Sequence, residues 1–183
     1  MLKPKKGRLL ISEPSLSDPT FFKSVILLTY HNSQESIGLI LNQPTKIEIR
    51  DIFKEISSSE FPLYIGGPVA KNSIQFIHTL GEKINNSVEI ANGIYWGGNF
   101  KEIIRLINNG KISNKDIRFF AGYSGWEANQ LNQEIEENNW IISVAKKETC
   151  MQYSNHNLWS NIIKTKESKY AIWTNMPTNP HLN

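Results

Sequence analysis

Ser24 to Tyr30 reads Ser-Val-Ile-Leu-Leu-Thr-Tyr, a run that is apolar on both faces of an extended chain. A strand of that kind has to lie centrally, with packed layers on either side. A polar loop, His31 to Ser36, separates it from a second strand signal, Ile37 to Asn42. Consecutive strands joined by so short a loop pair as an antiparallel hairpin. Gln43-Pro44-Thr45 is expected to end the second strand, because proline cannot donate to a ladder. Further strand signals stand at Arg8 to Ser12, Leu63 to Ile65, Ser73 to Leu80, Ile94 to Trp96, Ile117 to Ala121, Trp140 to Ala145 and Tyr170 to Trp173. Helical spacing predicts a short helix through Ile49, Ile52, Phe53 and Ile56. A longer one carries Phe100, Ile103, Ile104 and Ile107 and stops at Asn108-Asn109-Gly110, and another holds Leu158, Trp159, Ile162 and Ile163. Strands come first and helices interleave later without strict alternation, which predicts the α+β class.

The 183 residues suit one domain, with residues 1–6 and 176–183 expected as flexible tails. The formal net charge is +3, but Lys3, Lys5, Lys6 and Arg8 stand in the first eight positions, leaving sixteen basic against seventeen acidic residues in the body. The chain's four arginines are scattered and form no basic stripe, so nucleic acid is not an expected partner of the folded body. A single cysteine, Cys150, excludes an internal disulfide and fits a reducing, cytoplasmic location. Only Leu9-Leu10-Ile11 follows the basic start, too short for a signal-peptide core, and no apolar run reaches membrane-spanning length.

Candidate chemistry concentrates between Gly122 and Glu134. After the strand at Ile117 to Ala121, two glycines suggest a sharp turn, and Ser124 with Glu127 fits a capping box that would open a helix. In that helix Ala128, Leu131 and Ile135 would face the core, and Trp126, Gln130, Gln133 and Glu137 would face away, with Glu127 and Glu134 on one flank. Trp126 would then either pack under a neighbouring loop or floor a groove in which a ligand could meet Gln130 and Glu134. Strand-to-helix turns also bind anions or carry a nucleophile. The nucleophile motif G-x-S-x-G fails here because Trp126 stands at the second glycine position, so Ser124 reads as a cap first. His31 at the hairpin end and Asn42 at the end of its partner strand are expected to lie near one another, whereas His78 reads as structural. No histidine pair has metal-ligand spacing, and Gly66-Gly67-Pro68 and Gly97-Gly98 match no phosphate loop, so neither metal nor cofactor is expected.

These segments together resemble the AlgH/YqgE family of small bacterial proteins. The resemblance rests on Gly7 to Pro14, Asp18 to Val25, His31, Gly38 to Pro44, Tyr64 to Val69, Gly122 to Trp126, Gln130-Leu131, Glu134-Ile135 and Trp140. It implies an α+β fold in which a bifurcated, mostly antiparallel sheet forms a pseudo-barrel flanked by helices. Members carry the label of transcriptional regulators, but this chain shows no helix-turn-helix with a basic recognition helix. Departures are Ser12-Glu13 in place of smaller residues, and Tyr30 before His31 where an acid is frequent. The expectation is a non-enzymatic binding or regulatory protein that takes a small anion, a peptide or a protein partner. Its groove would hold His31, Asn42, Gly66, Gly67, Tyr123, Ser124, Trp126, Gln130 and Glu134. Two other readings are a hydrolase using Ser124 or His31, and nucleic-acid association through the basic N-terminal tail.

Overall fold

The computed structural model describes residues 2–14, 16, 18–57, 60–152, 157–166 and 170. The strands are β1 (Arg8–Ser12), β2 (Val25–His31), β3 (Glu35–Ile40), β4 (Pro44–Glu48), β5 (Pro62–Ile65), β6 (Val69–His78), β7 (Val88–Ala91), β8 (Ile94–Trp96), β9 (Ile117–Glu127) and β10 (Trp140–Val144). The helices are α1 (Ile49–Ile52), α2 (Phe100–Asn108), α3 (Gln130–Glu136), α4 (Lys147–Met151) and α5 (Leu158–Lys164).

The sheet runs β10-β1-β2-β3-β9-β6-β8-β7, and each neighbouring pair in that order is antiparallel. β2 is central, as its two apolar faces require, and it forms the expected hairpin with β3 through Ile26↔Ile40 and His31↔Ser36. The sheet curls: the space where a side chain would project from Gly7, just before β1, is filled by the Ile90 carbonyl of β7, near the sheet's other end. Helices pack on this curled, mostly antiparallel sheet, and the fold is of the α+β class.

β9 is the strand that organises the rest. One of its edges pairs with β6, through Phe76↔Phe119 and Val69↔Tyr123. The other edge is divided. Phe119 to Ala121 take the parallel strand β5, and Ser124 to Glu127 take β3. Gly122 stands at the division with φ +66°, and a methyl group there would lie 2.5 Å from the Val69 carbonyl oxygen. Only glycine meets both demands without strain.

Three apolar clusters result. Leu9, Ile11, Leu27, Leu39 and Phe120 meet Trp159 and Ile163 of α5 on one face of the sheet. Leu10, Ile26, Ile40 and Ile142 on the opposite face meet Leu131 of α3. Phe61, Leu63, Phe76 and Phe119 meet Ile103 and Ile107 of α2. Asn99 caps α2 by accepting from the Lys101 N–H at 3.1 Å, and the helix ends at the expected asparagine–glycine stop.

Several expectations need correction. The strand at Ile117 runs on to Glu127 instead of turning at Gly122, because β3 offers its edge to Ser124–Glu127. β3 stops at Ile40, short of the expected Asn42, and Pro44 does not end it but opens β4, at a strand's first position where its missing N–H costs nothing. The helix at Ile49 is a single turn. β7 and α4 had no clear periodic signal. Of the strand expected at Tyr170 to Trp173, residues 171–173 lie outside the described part of the chain. Among the described residues, no helix is long and apolar enough to cross a membrane.

Candidate functional site

The polar side chains of the Gly122–Glu134 segment are spent on one another and on the sheet. Along β9, Ser124 and Trp126 point inward while Tyr123, Gly125 and Glu127 point toward the other face. Ser124 is fully buried, and its Oγ donates to the Gly66 carbonyl at 3.2 Å. It is therefore not the cap of α3. That position belongs to Asn129, held in the left-handed region at φ 64°, which asparagine tolerates.

Trp126 lies only 3% exposed, in contact with the core, not on a free helix face. Its Nε1–H donates to Glu134 Oε2 at 2.8 Å, and the Trp140 Nε1–H donates to the same oxygen at 2.7 Å. Gln130 Nε2 donates to the other carboxylate oxygen at 2.9 Å, while Gln130 Oε1 accepts the Glu127 N–H. Phe21 completes the cluster, stacked on Trp126 at 6.3 Å and edge-on to Trp140 at 5.5 Å. A carboxylate that accepts two indole donors makes charge-assisted bonds, stronger than neutral ones, and ties α3 to β9 and β10 together.

Ser36 of β3 pairs with Trp126 on one side and with His31 on the other, which puts His31 in the same cross-strand row. His31 Nδ1 sits 2.8 Å from Ser36 Oγ across the hairpin, and burial lowers the pKa of its half-exposed ring. Asn42 is at the opposite end of β2, where its Oδ1 accepts the Val25 N–H and its Nδ2 donates to the Lys23 carbonyl. Seven residues of strand, roughly 20 Å, separate the two, so the expected proximity is wrong. A hairpin brings strand partners together, but Asn42 pairs with the start of β2 and His31 is its last residue. Gly66 and Gly67 are buried against Gly122 and the Tyr123–Ser124 peptide. Tyr123 is half-buried on the other face, beside Val69 and Gly125. Of the nine candidates, Trp126, Gln130 and Glu134 share one hydrogen-bonded cluster, His31 lies in the same cross-strand row as Trp126 through Ser36, Ser124 bonds Gly66 beside Gly67, and Asn42 stands at the far end of β2.

Sequence reasoning missed Arg118. Arg118 is the second residue of β9, and its buried guanidinium donates 2.6 Å bonds to the carbonyls of Leu41 and Cys150 and lies 4.1 Å from the centre of the Tyr64 ring. Burial lowers its pKa, and Tyr64 opposes that shift. The signal available was one arginine inside an otherwise apolar run, Ile117 to Ala121. Cys150, against the same guanidinium, is a buried thiol pushed up to about 12, by desolvation above all. Lys23 was missed as well: it holds a positive φ of 50°, with its amine over the rings of Phe22 and Trp159.

Known proteins bear on this arrangement. A family model described as AlgH-like matches residues 9–171. The UPF0301 protein of Chlorobium limicola is 38% identical over 181 residues, spanning 99% of this chain and 97% of the relative. The UPF0301 protein BF2109 of Bacteroides fragilis is 42% identical over 181 residues, spanning 98% and 92%. Two solved structures share the fold at 22% identity. The crystal structure of protein DIP2367 from Corynebacterium diphtheriae superposes with a TM-score of 0.81 over 96% of this chain and 94% of that one. The solution structure of the AlgH protein from Pseudomonas aeruginosa gives 0.74 over 98% and 100%.

Proposed function

The chain belongs to the AlgH-like family, and from that premise we propose that it is a binding or regulatory protein and not an enzyme. The observation that carries this reading is Ser124. Its hydroxyl is fully buried and already donates to a backbone carbonyl, so it has no base to activate it and no path to a substrate. The one cysteine, Cys150, is buried and held as a thiol. His31, Asn42, Tyr123, Gln130 and Glu134 keep solvent exposure, and recognition of a small anion, a peptide or a protein falls to these surface-facing groups and their surroundings.

Nucleic acid stays outside the proposal because Arg118 is buried beneath the sheet, which leaves three arginines for phosphate. We read the divided edge of β9 as the bifurcation of a pseudo-barrel, and the reduced, buried Cys150 as fitting a cytoplasmic protein. A fluorophosphonate probe tests the central point. The folded chain is expected to take no label, and mass-spectrometric recovery of the adduct on Ser124 would overturn the proposal.

A further inference from the structure

A basic segment leads into β1. Lys3, Lys5, Lys6 and Arg8 stand there with no acid before Glu13. The chain enters the strand through a turn in which the Arg8 N–H donates to the Lys5 carbonyl at 3.1 Å and Gly7 holds φ +77°. The Gly7 N–H donates to the Leu28 carbonyl of β2 at 2.8 Å, and the Ile90 carbonyl fills the space where a side chain would stand. These contacts fix the turn as a pivot. Residues 2–5 lie outside regular structure, and Pro4 biases Lys3 toward an extended backbone.

Leu2, Lys3 and Pro4 border a groove of about 780 Å³ whose lining also includes Asn132, Ile135 and Glu136 of α3. Leu2 is 42% exposed and Ile135 is half-buried, so each has apolar surface left to cover. α3 and the turn after it carry Glu134, Glu136 and Glu137 and no base. Glu134 is spent on the two indoles, and Glu137 on the amides of Gln133 and Asn139. Glu136 is exposed and shares the groove with Lys3. Among the described residues the one ion pair is Arg50 with Glu48, so Lys3 and Glu136 stand apart in this conformation. The two walls are complementary: each carries one sign of charge and one apolar side chain. Three extended residues reach about 10 Å, which lets a segment pivoting at the turn sweep across the groove.

We propose that residues 2–6 form a strap that closes on the outer face of α3, with Leu2 against Ile135 and Lys3 against Glu136. Closure withholds that face from a partner, and opening presents it. Burial of the two apolar side chains and the attraction of Lys3 for Glu136 favour closure, and salt favours opening by screening the pair. The strap adds a regulated surface to a binding module, and its closure does not depend on whether Ser124 can be labelled.

The test is NMR of the full, isotope-labelled chain. At low salt, cross-peaks from the Leu2 methyls to the Ile135 methyls are expected. They should fade near 1 M salt, where the screening length falls to about 3 Å. Glu136→Lys should lower the closed population about threefold at low salt, and adding Lys3→Glu to the same chain should restore it. Lys3 and Glu136 are both exposed, so neither change threatens the fold. Missing cross-peaks at low salt overturn the proposal, since the segment then stays away from α3. Cross-peaks that ignore both salt and Glu136→Lys also overturn it, because the contact is then fixed packing and not a strap. A double variant that stays open does the same, because Lys3 then has no part in closure.

Discussion

Leu80 N–H donates to His78 Nδ1, which leaves the ring proton on Nε2, where it is donated to the Gly97 carbonyl. The ring is fully buried and stacked on Tyr95, so its neutral form is fixed by both nitrogens, and burial lowers its pKa below the ordinary 6.5. The consequence for stability has a definite sign. Below pH 6.5 the unfolded chain takes up a proton at this histidine and the folded chain does not. The contribution is therefore intact above 6.5 and is lost as the pH falls toward the lowered folded value. One such proton amounts to about 1.4 kcal/mol of stability per pH unit. Urea unfolding between neutral pH and about pH 5 should show this loss, and His78→Gln should flatten the dependence by about one proton's worth. An unchanged slope in the variant would show that His78 titrates freely in the fold. His78 was readable as structural from its place in an alternating strand. Arg118 was not, because nothing in the residues around it announces that its partners are two distant carbonyls and an aromatic face.

Among the elements, β9 shows how one glycine directs a sheet. Gly122 and Gly110 both have φ near +65°, but a methyl group at Gly122 meets backbone oxygens of Val69 and Gly67, while one at Gly110 meets open space. Gly122→Ala is expected to cost about 3 kcal/mol against about 1 for Gly110→Ala, measured by urea unfolding. Equal costs would mean that the division of β9's edge does not depend on close approach at Gly122. The same stretch shows where local reading fails. Ser124-x-x-Glu127 after two glycines fits a capping box, and the segment also alternates, with Tyr123, Gly125 and Glu127 on one face and Ser124 and Trp126 on the other. Period two wins because β3, about ninety residues earlier in the chain, supplies the pairing edge. The helix begins five residues later than the capping pattern implied. By contrast β1, β8 and α2 stood out, since their apolar spacing and stops are local. β7 is four residues with two of them exposed, which leaves too little pattern to read.

At the scale of the whole molecule, the segments that mark the family are largely the ones that lock three cores onto a single curled sheet. Gly66 and Gly67 let β5, β6 and β9 approach, Asn42 ties the end of β3 to the start of β2, and Glu134 fastens α3 across two tryptophans. Their residue types were legible in the sequence as special. Their role was not, because it depends on which distant backbone each one faces. On this account these motifs act first as fold determinants. Native-state hydrogen exchange tests it most directly. The account predicts that the indole Nε1–H groups of Trp126 and Trp140 exchange only as slowly as the core amides of β9, through global unfolding, and that Glu134→Ala speeds both together. Indole protons that exchange like those of an exposed tryptophan, while β9 stays protected, would contradict it.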